Sequence, residues 1–302
     1  MSTTDDDFAE ILADVMAFVT NEAIILNRLE EYFSPKPAKF ADSEGSLKAI
    51  NHRIEKIVDD LGGAPSLIIQ FDSDPIPKYD TYPNAAFNEM FALFNRTRKS
   101  VTRAHMFLIG SSMYRQIPSI PSHPDTKRQS ILANRVDAAF WEHAETCYIR
   151  LASYWDRVGQ LMDFTFFGIR QFERDGFSSV MEKIHNNWVA IDPALRNMPA
   201  WYALRCYQKS DKADGLGWLL RRRNFLIHSM HLRPIESDDE APLFESAFNH
   251  LDKNLREKLK PDSMEDEMDK IHKHLAIAAS QLPNILSLLE YAIQIDFRPF
   301  PR

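Results

Sequence analysis

Glycine is scarce in this chain, with 9 residues in 302 against 17 prolines. So few glycines leave little provision for tight hairpin turns, which argues against a strand-rich fold. Cysteine is nearly absent. Cys147 and Cys206 cannot make a disulfide framework or a cysteine-based metal site, and their apolar helical surroundings predict two buried free thiols in a reducing compartment. No stretch approaches the ~18 uninterrupted apolar residues of a membrane span. The acidic start, Met1 to Asp7, has neither the basic opening nor the apolar core of a signal peptide. These absences together predict a cytoplasmic protein. Excess basic charge is missing too: 36 Lys and Arg stand against 43 Asp and Glu, a formal net charge of -7. That excludes a surface that is basic all over, though not a local basic cleft.

Apolar residues make up 44% of the chain, and they recur at three- and four-residue steps. That spacing predicts an all-α fold of helices joined by proline-bearing loops. From Asp5 to Phe33 the apolar positions are Phe8, Ile11, Leu12, Val15, Val19, Ile24, Leu26, Leu29 and Phe33, with Pro35 and Pro37 stopping the helix. Ser46 opens a second helix that closes at Gly62 and Gly63. Ser66 to Phe71 suits a short strand. Asp72 to Pro83 is rich in proline, which predicts an extended link and a boundary between residues 1–82 and 83–302. A third helix is expected from about Asn84 to Tyr114.

The longest pattern runs from Thr126 to Phe172. Unbroken, it would span ~70 Å, so a bend or break is expected at Gly159 or Gly168. Shorter helices follow over Ser178 to Trp188 and Pro199 to Tyr207, and Phe244 to Leu259 is amphipathic. The last helix, opened by a capping arrangement of Ser263 and Asp266, carries the seam Met264, Met268, Ile271, Leu275, Ala278, Leu282, Ile285, Leu289, with a kink expected at Pro283.

One segment concentrates unusual chemistry. Leu219 to Pro234 holds Arg221, Arg222, Arg223, Asn224, His228, His231 and Arg233 without a carboxylate, and Glu236 to Glu240 then reverses the charge. At ~100° per residue, Arg221, Asn224, His228 and His231 share a sector of ~80°, whereas Arg223 lies ~140° from His228. Guanidinium groups grip phosphate oxygens and imidazole moves protons near neutral pH. Together they suit metal-independent cleavage of RNA, with attack by the ribose 2′-hydroxyl on the adjacent phosphate.

Arg223-Asn224-Phe225-Leu226-Ile227-His228 resembles the R-N-x-x-x-H form of the R-x4-6-H motif of the HEPN superfamily, in an all-helical setting and in the manner of an uncharacterised bacterial branch. The resemblance implies a HEPN-like antiparallel helical bundle with additional N-terminal helices. It also implies a homodimer in which two motifs build one endoribonuclease site, acting on RNA as a toxin or defence effector with a cognate antitoxin or other protein partner. On that resemblance Arg223 and His228 are catalytic and Asn224 is their polar neighbour. Asp156 is the counterpart of a polar or acidic residue on an earlier helix, with Asp163 behind it. Arg221 and His231 are supporting residues. No cofactor, metal or membrane is implied.

Blander readings run alongside. The arginines suit a solvated helix face, His228 alone suits a satisfied core histidine, and Asp156 suits an ordinary ion-pair partner. His272 and His274 lie on different helix faces and Asp269 adds only a third group, so a metal reading there is weak. Arg96, Arg98, Lys99 and Arg103 read as a solvated basic face, and Tyr154, Trp155, Phe164, Phe166 and Phe167 as core. The alternative function is a non-catalytic helical module that binds a protein or a nucleotide.

Overall fold

The computed structural model describes residues 5–33, 44–62, 67–68, 82–116, 124–170, 176–228 and 261–295, with side chains throughout except at 5–10, 30–33, 44–47, 67–68, 124–132, 170 and 228. The described elements are α1 (Asp5–Phe33), α2 (Glu44–Leu61), β1 (Leu67–Ile68), α3 (Tyr82–Gln116), α4 (Pro124–Phe167), β2 (Ile169–Arg170), α5 (Phe177–Ile184), a π-helical turn (His185–Val189), α6 (Pro193–Arg196), α7 (Pro199–Lys209), α8 (Leu216–His228), α9 (Met264–Ser280) and α10 (Leu282–Ile295). The fold is an all-α helical bundle. Its two short strands pair in parallel, Leu67 with Ile169 and Ile68 with Arg170.

The long helix α4 is the axis of the assembly, touching α3, α5, α8, α9 and α10. It runs unbroken through Gly159 to Phe167 and breaks at Gly168, the second of the two positions where an interruption is expected. Gly168 ends it, in the left-handed conformation at φ 66°, with its N–H donating to the Phe164 carbonyl at 2.9 Å; this is the usual use of glycine just past a helix end. Gly159 has a different task. A Cβ there would lie 2.6 Å from the backbone N and Cα of Phe177, so its bare backbone lets the start of α5 seat directly on α4.

The seam of α4 supplies the core: Phe140, Tyr148, Leu151, Trp155, Val158 and Met162 are buried, as are Tyr154, Phe164, Phe166 and Phe167. Trp155 packs against Phe177 and Tyr207, drawing α5 and α7 together. Ile57 and Leu61 of α2 enter the same core, and Arg53 clamps α2 to α10 through Glu290 at 2.6 and 2.7 Å and Ser287 at 3.0 Å. The α1 helix lies chiefly against α3, tied by Arg103 to Glu22 at 3.0 Å.

Pro283 divides rather than kinks the last helix. Its ring and missing N–H are incompatible with a continuous turn, so α9 ends at Ser280 and α10 restarts with the proline at its second position. The capping of α9 follows the expectation, with Ser263 Oγ accepting from the Asp266 N–H at 3.1 Å. Cys147 is buried, but Cys206 is exposed on α7, because the buried face of that helix is carried by Ala200, Trp201, Leu204, Tyr207 and Gln208. The segment Phe244 to Leu259 lies outside the described residues.

Candidate functional site

The arginine-bearing segment forms α8, launched from a tight turn after α7. Gly217 donates to the Ser210 carbonyl at 3.1 Å, and a side chain at Gly217 would collide with the Asp211 carboxylate. Leu216, Trp218, Leu219 and Phe225 are buried, and this apolar face fixes the helix against α4. The three consecutive arginines therefore leave in three directions, each with its own fate.

Arg221 turns back to the launching turn, where Nη1 donates to Asp211 Oδ1 at 2.6 Å. Arg222 points inward and is fully buried. Its Nη2 donates to Glu267 Oε1 at 2.9 Å, and its guanidinium lies over the rings of Trp218 and Tyr148, 4.9 and 5.7 Å from their centroids. Glu267 is equally buried and also accepts from the Tyr148 hydroxyl at 2.6 Å, Lys270 Nζ at 3.0 Å and the Asp262 N–H at 3.2 Å. Burial, reinforced by the Glu267 charge, pushes the Tyr148 hydroxyl well above its ordinary pKa. The several donors converging on Glu267 help to make this buried ion pair tolerable.

Arg223 takes the third direction. Its Nη1 donates to Asn224 Oδ1 at 2.9 Å on the accessible side of the helix, and it lies close enough to Asp156 for its charge to oppose protonation there. Burial is nevertheless the larger effect and raises the Asp156 pKa; Arg223, Arg157 and a hydrogen bond from the Phe177 N–H pull it back. Gly176 makes that approach possible, since a Cβ there would sit 2.5 Å from Asp156 Oδ1. Asp156 thus joins three elements: it sits on α4, receives the first N–H of α5 and faces an arginine of α8. Neighbouring Arg157 donates to Gln160 at 2.7 Å and pairs with Glu89 of α3 at 2.9 Å.

Of the residues singled out in the sequence, Arg223, Asn224 and Asp156 come together. Arg221 is committed to Asp211. Asp163, the second acidic candidate, is buried and paired with Lys183 at 2.9 Å. His228 is the final residue of α8, with its side chain outside the described residues, and His231 lies wholly outside them.

The Arg222–Glu267 pair was missed by sequence reasoning, although a signal existed. Arg222 sits three residues from both Leu219 and Phe225, on the apolar face of α8, and Glu267 falls within the seam of Met264, Met268 and Ile271 on α9. Two opposite charges on two apolar seams imply a buried pair.

The remaining candidates separate. His272 meets His105 of α3, Nε2 to Nδ1 at 3.3 Å, while His274 Nε2 bonds to the Ala213 carbonyl at 3.0 Å beneath a stacked Trp218. Among the described residues, no three His, Cys, Asp or Glu side chains are grouped to hold a metal ion. Arg96 and Lys99 are exposed on α3, and Arg103 of that face is engaged by Glu22. Among the described residues, no helix is long and apolar enough to cross a membrane. Comparison of the chain with protein-family models, with curated proteins and with solved structures gave no match in any of the three.

Proposed function

We propose that the exposed edge of α8 is the active edge of a HEPN-like, metal-independent endoribonuclease. The observation that carries this reading is the division of labour among the arginines. Arg221 and Arg222 are held by protein carboxylates, whereas Arg223, the arginine of the R-N-x-x-x-H pattern, reaches the accessible side beside Asn224. The buried Arg222–Glu267 pair supports the reading further, because it anchors α8, and the nearby Asp156 charge adds to it on the side where Arg223 projects.

In the proposed reaction His228 accepts the proton of a ribose 2′-hydroxyl as its oxygen bonds to the neighbouring phosphorus. The bond to the 5′-oxygen then breaks, that oxygen takes up a proton, and a cyclic phosphate remains on the upstream fragment. Arg223 stabilises charge on the phosphoryl oxygens, Asn224 restrains the guanidinium, and Asp156 orients it from behind. DNA, lacking the attacking hydroxyl, is inert.

The test is incubation of the purified protein with single-stranded and structured RNA in excess chelator, beside DNA of the same sequence. Cleavage of RNA alone is expected, with His228→Ala and Arg223→Ala each reducing the rate by roughly 100-fold or more. Intact RNA with the wild type, or variants that cut as fast as it does, would leave the alternative of a non-catalytic binding module.

A further inference from the structure

Three cations on α3 and α4 lie together outside the site described above. Arg96 and Lys99 are exposed on α3, and Arg150 of α4 is half-buried beside them. The Arg150 Nη1 donates to uncharged oxygens, the Arg96 carbonyl at 3.0 Å and the Ser100 hydroxyl. Among the described residues, no carboxylate pairs with any of the three. The other arginines of this edge are neutralised, Arg103 by Glu22 at 3.0 Å and Arg157 by Glu89 at 2.9 Å. A guanidinium bonded through one nitrogen to neutral acceptors keeps its full charge and most of its donors for an anion.

Helical geometry sets these cations across α4 from the α8 edge. At ~100° per residue, Ser153 lies midway between Asp156 and Arg150, ~60° from each. Asp156 is on the side that feels Arg223 of α8, and Arg150 is on the side that meets α3. Ile149, Ser153 and Asp156 are half-buried rather than buried, so solvent reaches this strip of α4. It is the floor of a shallow groove, with Arg223 and Asn224 on one wall and Arg96, Lys99 and Arg150 on the other. Along α4 the two walls are offset by six residues, or ~9 Å, close to the length of three stacked nucleotides at ~3.4 Å each. Glu142 and Glu145 stand before Arg150 on α4, and no acid falls between Arg150 and Asp156.

We propose that Arg96, Lys99 and Arg150 form a backbone-binding wall for single-stranded RNA, gripping phosphates about three nucleotides from the bond placed at Arg223. The choice of RNA rests on the ribonuclease reading, whereas the wall itself rests on its uncompensated charge. A flexible single strand crosses the α4 floor from one wall to the other, and the grip is on phosphate and so independent of sequence.

Fluorescence anisotropy of the full chain with a labelled 2′-O-methyl RNA of about 12 nucleotides, which lacks the attacking hydroxyl, tests the wall apart from cleavage. The wild type is expected to bind, and Arg96→Gln with Lys99→Gln to weaken binding roughly tenfold near physiological salt. Loss of two phosphate contacts should also reduce the slope of log affinity against log salt by about 1.4, at ~0.7 per contact on a single strand. Both residues are exposed, so circular dichroism and thermal midpoint should not change. A dinucleotide, too short to reach the wall, should be cut at the wild-type rate by the double variant. Affinity and slope left unchanged by the paired substitution would overturn the proposal. So would a wild type that binds no RNA, or one that binds polyglutamate of equal charge as tightly. If unmodified RNA stays whole while the double variant still loses affinity, the wall stands and only the catalytic reading fails.

Discussion

At the scale of the residue, three adjacent arginines of identical chemistry have three different roles, and the helical rotation between them is the cause. A step of ~100° carries the chain from a turn carboxylate at Arg221, to the core at Arg222, to the accessible edge at Arg223. Motif spacing made Arg223 and His228 legible in the sequence, but not which arginine is free to act, because that depends on where Asp211 and Glu267 fall in the folded chain. The energetic consequence is sharpest at Arg222. Replacing it by Met leaves Glu267 buried with much of its charge uncompensated, and should cost roughly 3–5 kcal/mol in urea denaturation. Adding Glu267→Gln should recover a large part of that loss, since the amide oxygen still accepts from Tyr148 and no charge remains to be desolvated. If the double variant is no more stable than the single one, the cost lies in packing against Trp218 and Tyr148 instead.

At the scale of the element, helix existence was legible from periodicity, whereas the meaning of single glycines and prolines was not. Gly159 and Gly168 both read as places where a long helix bends or breaks. Gly168 does end the helix, whereas Gly159 lies within an unbroken stretch and accommodates a neighbouring backbone. The difference rests on tertiary contact with Phe177, which no local pattern encodes. It also yields a measurable contrast. Gly159→Ala raises helix propensity on α4 by about 1 kcal/mol, so a true surface bend would be stabilised by it. With Phe177 backbone atoms 2.6 Å from the new methyl, the substitution should instead lower stability, on the order of 1–3 kcal/mol in urea, and shift α5 away from Asp156. Because Asp156 accepts the Phe177 N–H, the same variant should perturb the amide resonance of Phe177. An unchanged or increased stability would mean that the approach of α5 to α4 is looser than this contact requires.

At the scale of the molecule, the eight carboxylates and one arginine of α1 account for the full formal charge of -7, leaving the remainder of the chain balanced. The exposed stripe on that helix read in the sequence only as a run of apolar positions at helical spacing; nothing in a single chain's periodicity says whether an apolar seam is covered from within or from outside. The neutral bundle has its own response to acid, set by two histidines on α9. Burial holds both His272 and His274 at about 4, with nearby His105 adding to the effect at His272. The unfolded chain protonates these imidazoles near 6.5, so between pH 6.5 and 4 it binds more protons than the folded chain does, and stability must fall as pH falls through that window. Below about pH 4 both states are protonated and these two groups add no further loss. Each should contribute on the order of 2 kcal/mol across the window. Their location makes the loss a loosening of the bundle itself, since His272 meets His105 of α3 and His274 holds the Ala213 carbonyl before α8. Urea denaturation of the wild type at intervals from pH 7 to pH 4 should show this slope, and His272→Asn with His274→Asn should flatten it. A slope that survives both substitutions would assign the acid sensitivity to His105 and His143, which burial also lowers; the stabilising effect of Glu182, held by Arg205 at about 2, is lost only at lower pH.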